Sequence, residues 1–165
     1  MGTIISDSEN VIRILRRDWF DDGKLMHIAF ALRKGETYLS VNRTAVDSFR
    51  TDVSFFVKTH PDYMFGDSEL EYCCANLNVG EVRNTYVTLD ERNIDIDVEV
   101  EPRNAIVKSH AGIFVRYGNM YLKMGGSIVV EDGNAVVSVD DILLKVRLQL
   151  LRKARCQRIK LGTGV

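Results

Sequence analysis

The stretch that most narrows the possible folds is Lys24 to Arg43, KLMHIAFALRKGETYLSVNR. Met26, Ile28, Phe30 and Leu32 alternate with Leu25, His27, Ala29, Ala31 and Arg33, the period-2 pattern of a half-buried strand. Arg33-Lys34-Gly35-Glu36 breaks the alternation, with Gly35 free to take the positive φ of a tight turn. Leu39 and Val41 then point one way, and Tyr38, Ser40 and Asn42 the other. The spacing predicts a β-hairpin. It leaves Ser40, Asn42 and Arg43 at a strand end, where side chains can converge on an anion or a carbonyl group. Asn42 and His27 are the further ligand-binding candidates of this stretch. The plainer explanation is a solvated strand face, which antiparallel sheets commonly present.

A chain of 165 residues suits one domain over 1–165, long enough to bury a core without metal or disulfide staples. With 45% apolar and 27% charged residues the composition is that of a globular protein rather than a disordered one. A net charge of -1 predicts no strong whole-molecule attraction to nucleic acid or membrane. The three cysteines, Cys73, Cys74 and Cys156, form neither a disulfide framework nor a CxxC zinc pattern, and no metal or other cofactor is expected. MGTIISDSEN lacks a leader pattern, and no stretch approaches a membrane-spanning apolar run, so a cytoplasmic location is expected. The sequon Asn42-Arg43-Thr44 is then a coincidence.

Val11, Ile12, Ile14 and Leu15 suit a short helix or a first strand, and Trp19-Phe20 precede an Asp21-Asp22-Gly23 turn. Thr44 to His60 reads as a helix, with Val46, Phe49, Val53, Phe56 and Val57 at helical spacing, Thr44 as cap and Pro61 as stop. His60 reads as a surface residue. Tyr63, Met64 and Phe65 either tuck down or form a contact surface. Leu70 to Asn78 returns to strand, with Cys73 and Cys74 on opposite faces as small hydrophobes.

Thr85 to Leu89 and Ile94 to Val100 suggest a second hairpin around Asp90-Glu91-Arg92-Asn93. Its second strand carries Asp95, Asp97, Glu99 and Glu101 outward, spaced roughly 7 Å apart. One straight row is a better edge-strand guard than a metal site. His110-Ala111-Gly112 enters a strand that ends at Tyr117, Gly118-Asn119 turns it into Met120 to Met124, and Ser127 to Val130 pairs with Ala135 to Val137.

Ser138 opens a last helix over 138 to 158, with Val139, Ile142, Leu143, Val146, Leu150 and Ala154 as its inward stripe. From Lys145 to Lys160 there are seven basic residues and no acidic one. Lys145, Arg147, Arg152 and Arg155 are therefore the candidates for an interaction surface. The absence of interleaved aromatics disfavours single-stranded nucleic acid, while a solvated helix face is the plainer alternative.

AFALRKGETYLSVNR and the later SHAGI resemble a group of small uncharacterised bacterial proteins, the matching positions being Ala29, Phe30, Leu39, Ser40, Val41, His110, Ala111 and Ile113. That resemblance brings no activity with it. It does suggest pairing Ser40 and Arg43 with His110, groups able to bind phosphate and move a proton. Against catalysis stand the absence of a phosphate-cradling glycine loop, a nucleophile elbow and HExxH spacing. The expectation is an α+β domain built on a largely antiparallel sheet of hairpins, with a mid-chain helix and a long C-terminal helix. Two functions follow: an interaction protein that self-associates or binds a partner through its last helix, or a small phosphate- or nucleotide-handling enzyme using His110, Arg43 and Ser40.

Overall fold

The computed structural model describes residues 4–66, 71–103, 106–130 and 135–161. Strand β1 (Asn10–Leu15) has four buried residues, Val11, Ile12, Ile14 and Leu15. Burial on both faces calls for cover on both, so β1 is an interior strand, not a helix. It lies between β4 (Tyr38–Arg43) and β5 (Glu71–Asn78), antiparallel to each. Between β1 and β4, β2 (Phe20–Asp21) and β3 (Lys24–Leu25) form a short ribbon around Asp22 and Gly23, both at positive φ.

The hairpin expected over Lys24 to Arg43 does not form. After β3 the chain enters a 3-10 turn, His27–Phe30, which buries the adjacent residues Ala29 and Phe30 together and leaves Ile28 exposed. Apolar side chains at consecutive positions fit a turn that tucks under the sheet better than an alternating strand. The partners of β4 come instead from β1 and from β9 (His110–Tyr117).

Helix α1 (Phe49–Thr59) begins five residues later than Thr44, whose hydroxyl donates to Asn10 O at 3.1 Å and ties down the strand end. Ser48, not Thr44, precedes the helix, and its hydroxyl donates to Asp52. After the loop, Cys74 of β5 is buried in one face while Cys73 packs against the other, as the alternation requires. Burial pushes the Cys74 thiol up to about 12, with Cys73 and Cys156 adding to the shift. Leu70, Asp67 and Ser68 lie outside the described residues. Tyr63 and Met64 tuck against the α1 side, and Phe65 meets Phe20 edge-on at 5.7 Å.

Helix α2 (Val79–Arg83) starts at Asn78, whose side chain accepts from Glu81 N at 3.0 Å. The expected second hairpin is split. β6 (Val87–Leu89) and β7 (Arg92–Ile94) pair around Asp90 and Glu91, both at positive φ as a type I′ turn requires. A tight bend with Ile96 N donating to Ile94 O then starts β8 (Asp97–Pro102), which pairs with β9. Of the acidic row, Glu99 pairs with Arg83 at 2.5 Å and Asp97 with Arg116 at 3.5 Å.

β10 (Met120–Tyr121) returns along β9 after Gly118, at φ 58°. β11 (Ser127–Val130) and β12 (Ala135–Ser138) form the expected ribbon, the turn residues Glu131 to Asn134 lying outside the described residues. Helix α3 (Val139–Lys153) ends before the expected 158. From Arg155 the chain runs as β13 (Arg155–Lys160), antiparallel to β5. Pairing with the outer edge of β5 satisfies backbone groups of both segments, a gain no solvated extension of the helix offers.

The result is an α+β fold around one antiparallel seven-stranded sheet, ordered β10-β9-β4-β1-β5-β13 with β8 on the far side of β9. One face packs Val11, Leu15, Val41 and Leu77 against Ile142, Val146 and Leu150 of α3. The other packs Ile12, Ile14, Tyr72 and Cys74 against Val53 and Val57 of α1. No helix among the described residues is long and apolar enough to cross a membrane.

Candidate functional site

β1 and β4 are in register only at Val11↔Arg43 and Ile12↔Asn42. Beyond that point Arg13 occupies the gap. Its guanidinium donates to Ala29 O at 2.5 Å and Ser40 O at 2.9 Å and lies 5.0 Å from the centroid of Trp19. Burial lowers this arginine to about 10 because a charged group loses solvation there.

α1 is fastened above the same region through Asp52. Its Oδ2 accepts from Ser48 Oγ at 2.9 Å, Ser109 Oγ at 2.6 Å and Ser109 N at 3.2 Å, and Asn42 donates to Ser109 Oγ at 2.9 Å. Ser109 is fully buried. The network fixes the distance between helix and sheet, so that the space next to it is held open rather than collapsed.

That space is a cleft of about 610 Å³, within the range of roughly 300–1,000 Å³ usual for small-molecule sites. Arg13, Arg16 and Arg33 line it with His60 and His110, together with the rings of Tyr38, Phe55, Phe56 and Tyr63. Three carboxylates also line it, and each is engaged. Asp52 holds the serine network, Glu36 accepts from Arg33 N at 2.6 Å, and Asp62 lies 3.6 Å from Arg16. Among the described residues no hydrogen bond or ion pair is made by the Arg33 guanidinium. Phe55 stands 71% exposed at the cleft, an aromatic face with no ring partner among the described residues.

Ser40 and His110 meet in the cleft. β4 and β9 pair Ser40 with Gly112 and Asn42 with His110, putting all four on one face, and His110 Nε2 lies 3.4 Å from Ser40 Oγ. Burial, then the Arg103 guanidinium, holds His110 below its usual value, which keeps the imidazole neutral at pH 7. Gly112 is required beside it, because a Cβ there would stand 2.7 Å from Tyr38 Cδ2. Among the described residues no carboxylate is bonded to His110, so the pair lacks the orienting third group of a nucleophilic triad.

Arg43 is not part of this site. It shares the opposite face of β4 with Leu39 and Val41, is buried, and gives Glu9 three hydrogen bonds of 3.0–3.1 Å. His27 does not line the cleft either; its Nδ1 is buried without a partner among the described residues. His60 does line it, stacked on Phe56 at 4.2 Å. The basic residues after the acidic helix start are dispersed: Lys145 and Arg152 are exposed on α3, Arg147 is half-buried beneath it, and Arg155 lies on β13.

Two residues that organise the site carried a readable signal. Arg13 occupies the same strand face as Val11 and Leu15, and Asp52 sits within the stripe Phe49, Val53, Phe56 and Val57. A charge at an inward position of an amphipathic element needs a buried partner. Among the described residues no cluster of His, Cys, Asp or Glu has the spacing to hold a metal. Compared with protein-family models, with curated proteins and with solved structures, the chain gives no match.

Proposed function

We propose that the cleft between α1 and the sheet binds an anionic small molecule that carries an aromatic ring, a nucleoside monophosphate being the nearest chemical class. One observation carries this reading: the Arg33 guanidinium, which has no hydrogen-bond or ion-pair partner among the described residues, and the Ser40–His110 pair share a single cleft with four rings. A guanidinium suits a phosphate or carboxylate, and the rings suit a base. Binding is favoured over turnover because, among the described residues, no carboxylate orients His110.

Isothermal titration of adenosine monophosphate, adenosine and inorganic phosphate into the protein tests it. The nucleotide is expected to bind at least about tenfold more tightly than either fragment, and His110→Ala to weaken it by about tenfold, or ~1.4 kcal/mol. The pH dependence has a definite sign. His110 is neutral at pH 7 in the free protein, and because burial and Arg103 hold it below the ordinary 6.5 it becomes a cation only at a pH lower than that. Affinity for the anion therefore rises as the pH falls through the depressed value of the histidine, until the phosphate itself protonates, and this rise is missing in His110→Ala. Without ligand the sign reverses: the unfolded chain takes up the proton more readily, so stability falls over the same window. Equal affinity of nucleotide and phosphate rejects the reading.

A second reading, partner binding, is favoured by β13. Its outer edge pairs with no strand among the described residues, and Arg155, Cys156, Gln157 and Arg158 are exposed along it. Such an edge can add a strand from an acidic partner. Two copies of β13 placed antiparallel about Gln157 and Arg158 bring Arg155 opposite Lys160, which disfavours self-pairing.

A further inference from the structure

The other side of the sheet holds a smaller open cavity of about 190 Å³, lined by Leu39 of β4, Ile113 and Val115 of β9, and Leu144 of α3, with Met124 48% exposed beside it. Among the described residues the charged ones that line it are Asp140 and Arg147. They are seven residues apart on α3 and so lie on one helix face, two turns from each other. Asp140 is engaged, its carboxylate accepting from Gly125 N at 2.8 Å. Arg147 is not: its Nε is buried, and among the described residues nothing accepts from it. Buried donors in folded proteins nearly all have partners. The Arg147 guanidinium also lines the apolar cavity, and none of its nitrogens has a hydrogen-bond acceptor among the described residues, so the terminal N–H groups rather than the shielded Nε are the donors a ligand there could meet.

We propose that this cavity binds a short aliphatic monocarboxylate, with its hydrocarbon among Leu39, Ile113 and Val115 and its carboxylate on Arg147. The volume sets the size of the ligand. It exceeds the roughly 150 Å³ of an apolar cavity that admits benzene and falls below the roughly 300 Å³ of the smallest drug-sized pockets. Arginine supplies planar, paired donors that match a carboxylate. The apolar walls favour a chain over a hydrated anion, and the Asp140 charge disfavours a second negative group on the ligand. This site lies on the opposite face of the sheet from the α1 cleft, and of its wall residues Ile113, Val115 and Leu144 belong to it and not to the cleft, while Leu39 borders both.

The test uses hexanoate, hexanol and acetate as probes, titrated into the full-length protein and followed by methyl NMR and by Tm. Hexanoate is expected to shift the methyl signals of Ile113 and Val115, which line this cavity and not the α1 cleft, to raise Tm, and to bind at least about tenfold more tightly than hexanol or acetate. Arg147→Met, which keeps the length and apolar stem of the side chain, is expected to lower hexanoate affinity about tenfold and bring it level with hexanol. Leu144→Trp at the half-buried wall should remove both ligands. Absence of hexanoate binding, a hexanol affinity equal to that of hexanoate, an unchanged preference in Arg147→Met, or shifts confined to the α1 cleft each overturns the proposal.

Discussion

Replacing Arg43 by methionine is expected to lower the free energy of unfolding by about 3–5 kcal/mol, the usual result of removing one partner from a buried ion pair. The side chains of Arg43 and Glu9 are only 9% and 14% exposed, so neither charge is screened as a surface pair would be. Methionine fills the stem of the arginine but leaves the Glu9 carboxylate with only Ser6 N, at 2.9 Å, of its described partners. Urea denaturation reads this as a lower midpoint at unchanged slope. Replacing both Arg43 and Glu9 by methionine should recover most of the loss, since no buried charge is then left alone. A drop under about 1 kcal/mol would mark the pair as an exposed one. The same variant separates structure from binding, because Arg43 faces away from the cleft and its loss should leave nucleotide affinity unchanged at temperatures where the protein is folded.

Ile142→Ala is expected to cost about 2–5 kcal/mol, as large-to-small changes in packed cores do. Ile142 is fully buried and stands between Val139 and Val146 in the stripe by which α3 packs on the sheet. Leu148 on the other side of the helix is 37% exposed, and its replacement by alanine should change stability by no more than about 0.5 kcal/mol. Thermal unfolding of the two variants side by side measures how much of α3 serves the core. A small effect at Ile142 would mean that the helix docks on the sheet only weakly and has apolar surface to offer a partner.

Where alternation had a nearby partner strand, the sequence was a reliable guide. The turn at Gly118, the ribbon of β11 and β12, and the two-faced cysteines of β5 all follow from side-chain parity and turn chemistry. The segment from Lys24 to Leu32 misled for a physical reason: its apolar residues also fit a 3-10 turn, and the partners of β4 come from β1 and β9, which local pattern does not reveal. Grouping Arg43 with Ser40 and Asn42 was an error that parity alone would have corrected, because odd and even positions of one strand face opposite ways. The approach of His110 to Ser40 depends on the pairing of β4 with β9, across about seventy residues of chain. Only the short motifs hinted at it. The end of α3 was hidden because Arg155 to Lys160 becomes a strand only when the edge of β5 is there to receive it.

The pairing of β13 with β5 also sets a timetable for the growing chain. At ~5–20 residues per second, the interval of roughly 80 residues between the two strands takes about 4–16 s to synthesise. Throughout that time β5, with Cys74, Ala75 and Leu77 in its interior, has one side of its backbone without its final partner. Such an edge invites pairing with a neighbouring nascent chain. When β13 arrives it closes β5 and makes Arg155, Arg158 and Lys160 the new border of the sheet. Like charges on that border repel a second copy. The last strand thus replaces an edge open to a neighbouring nascent copy with a basic one that repels it, while leaving that edge open to an acidic strand.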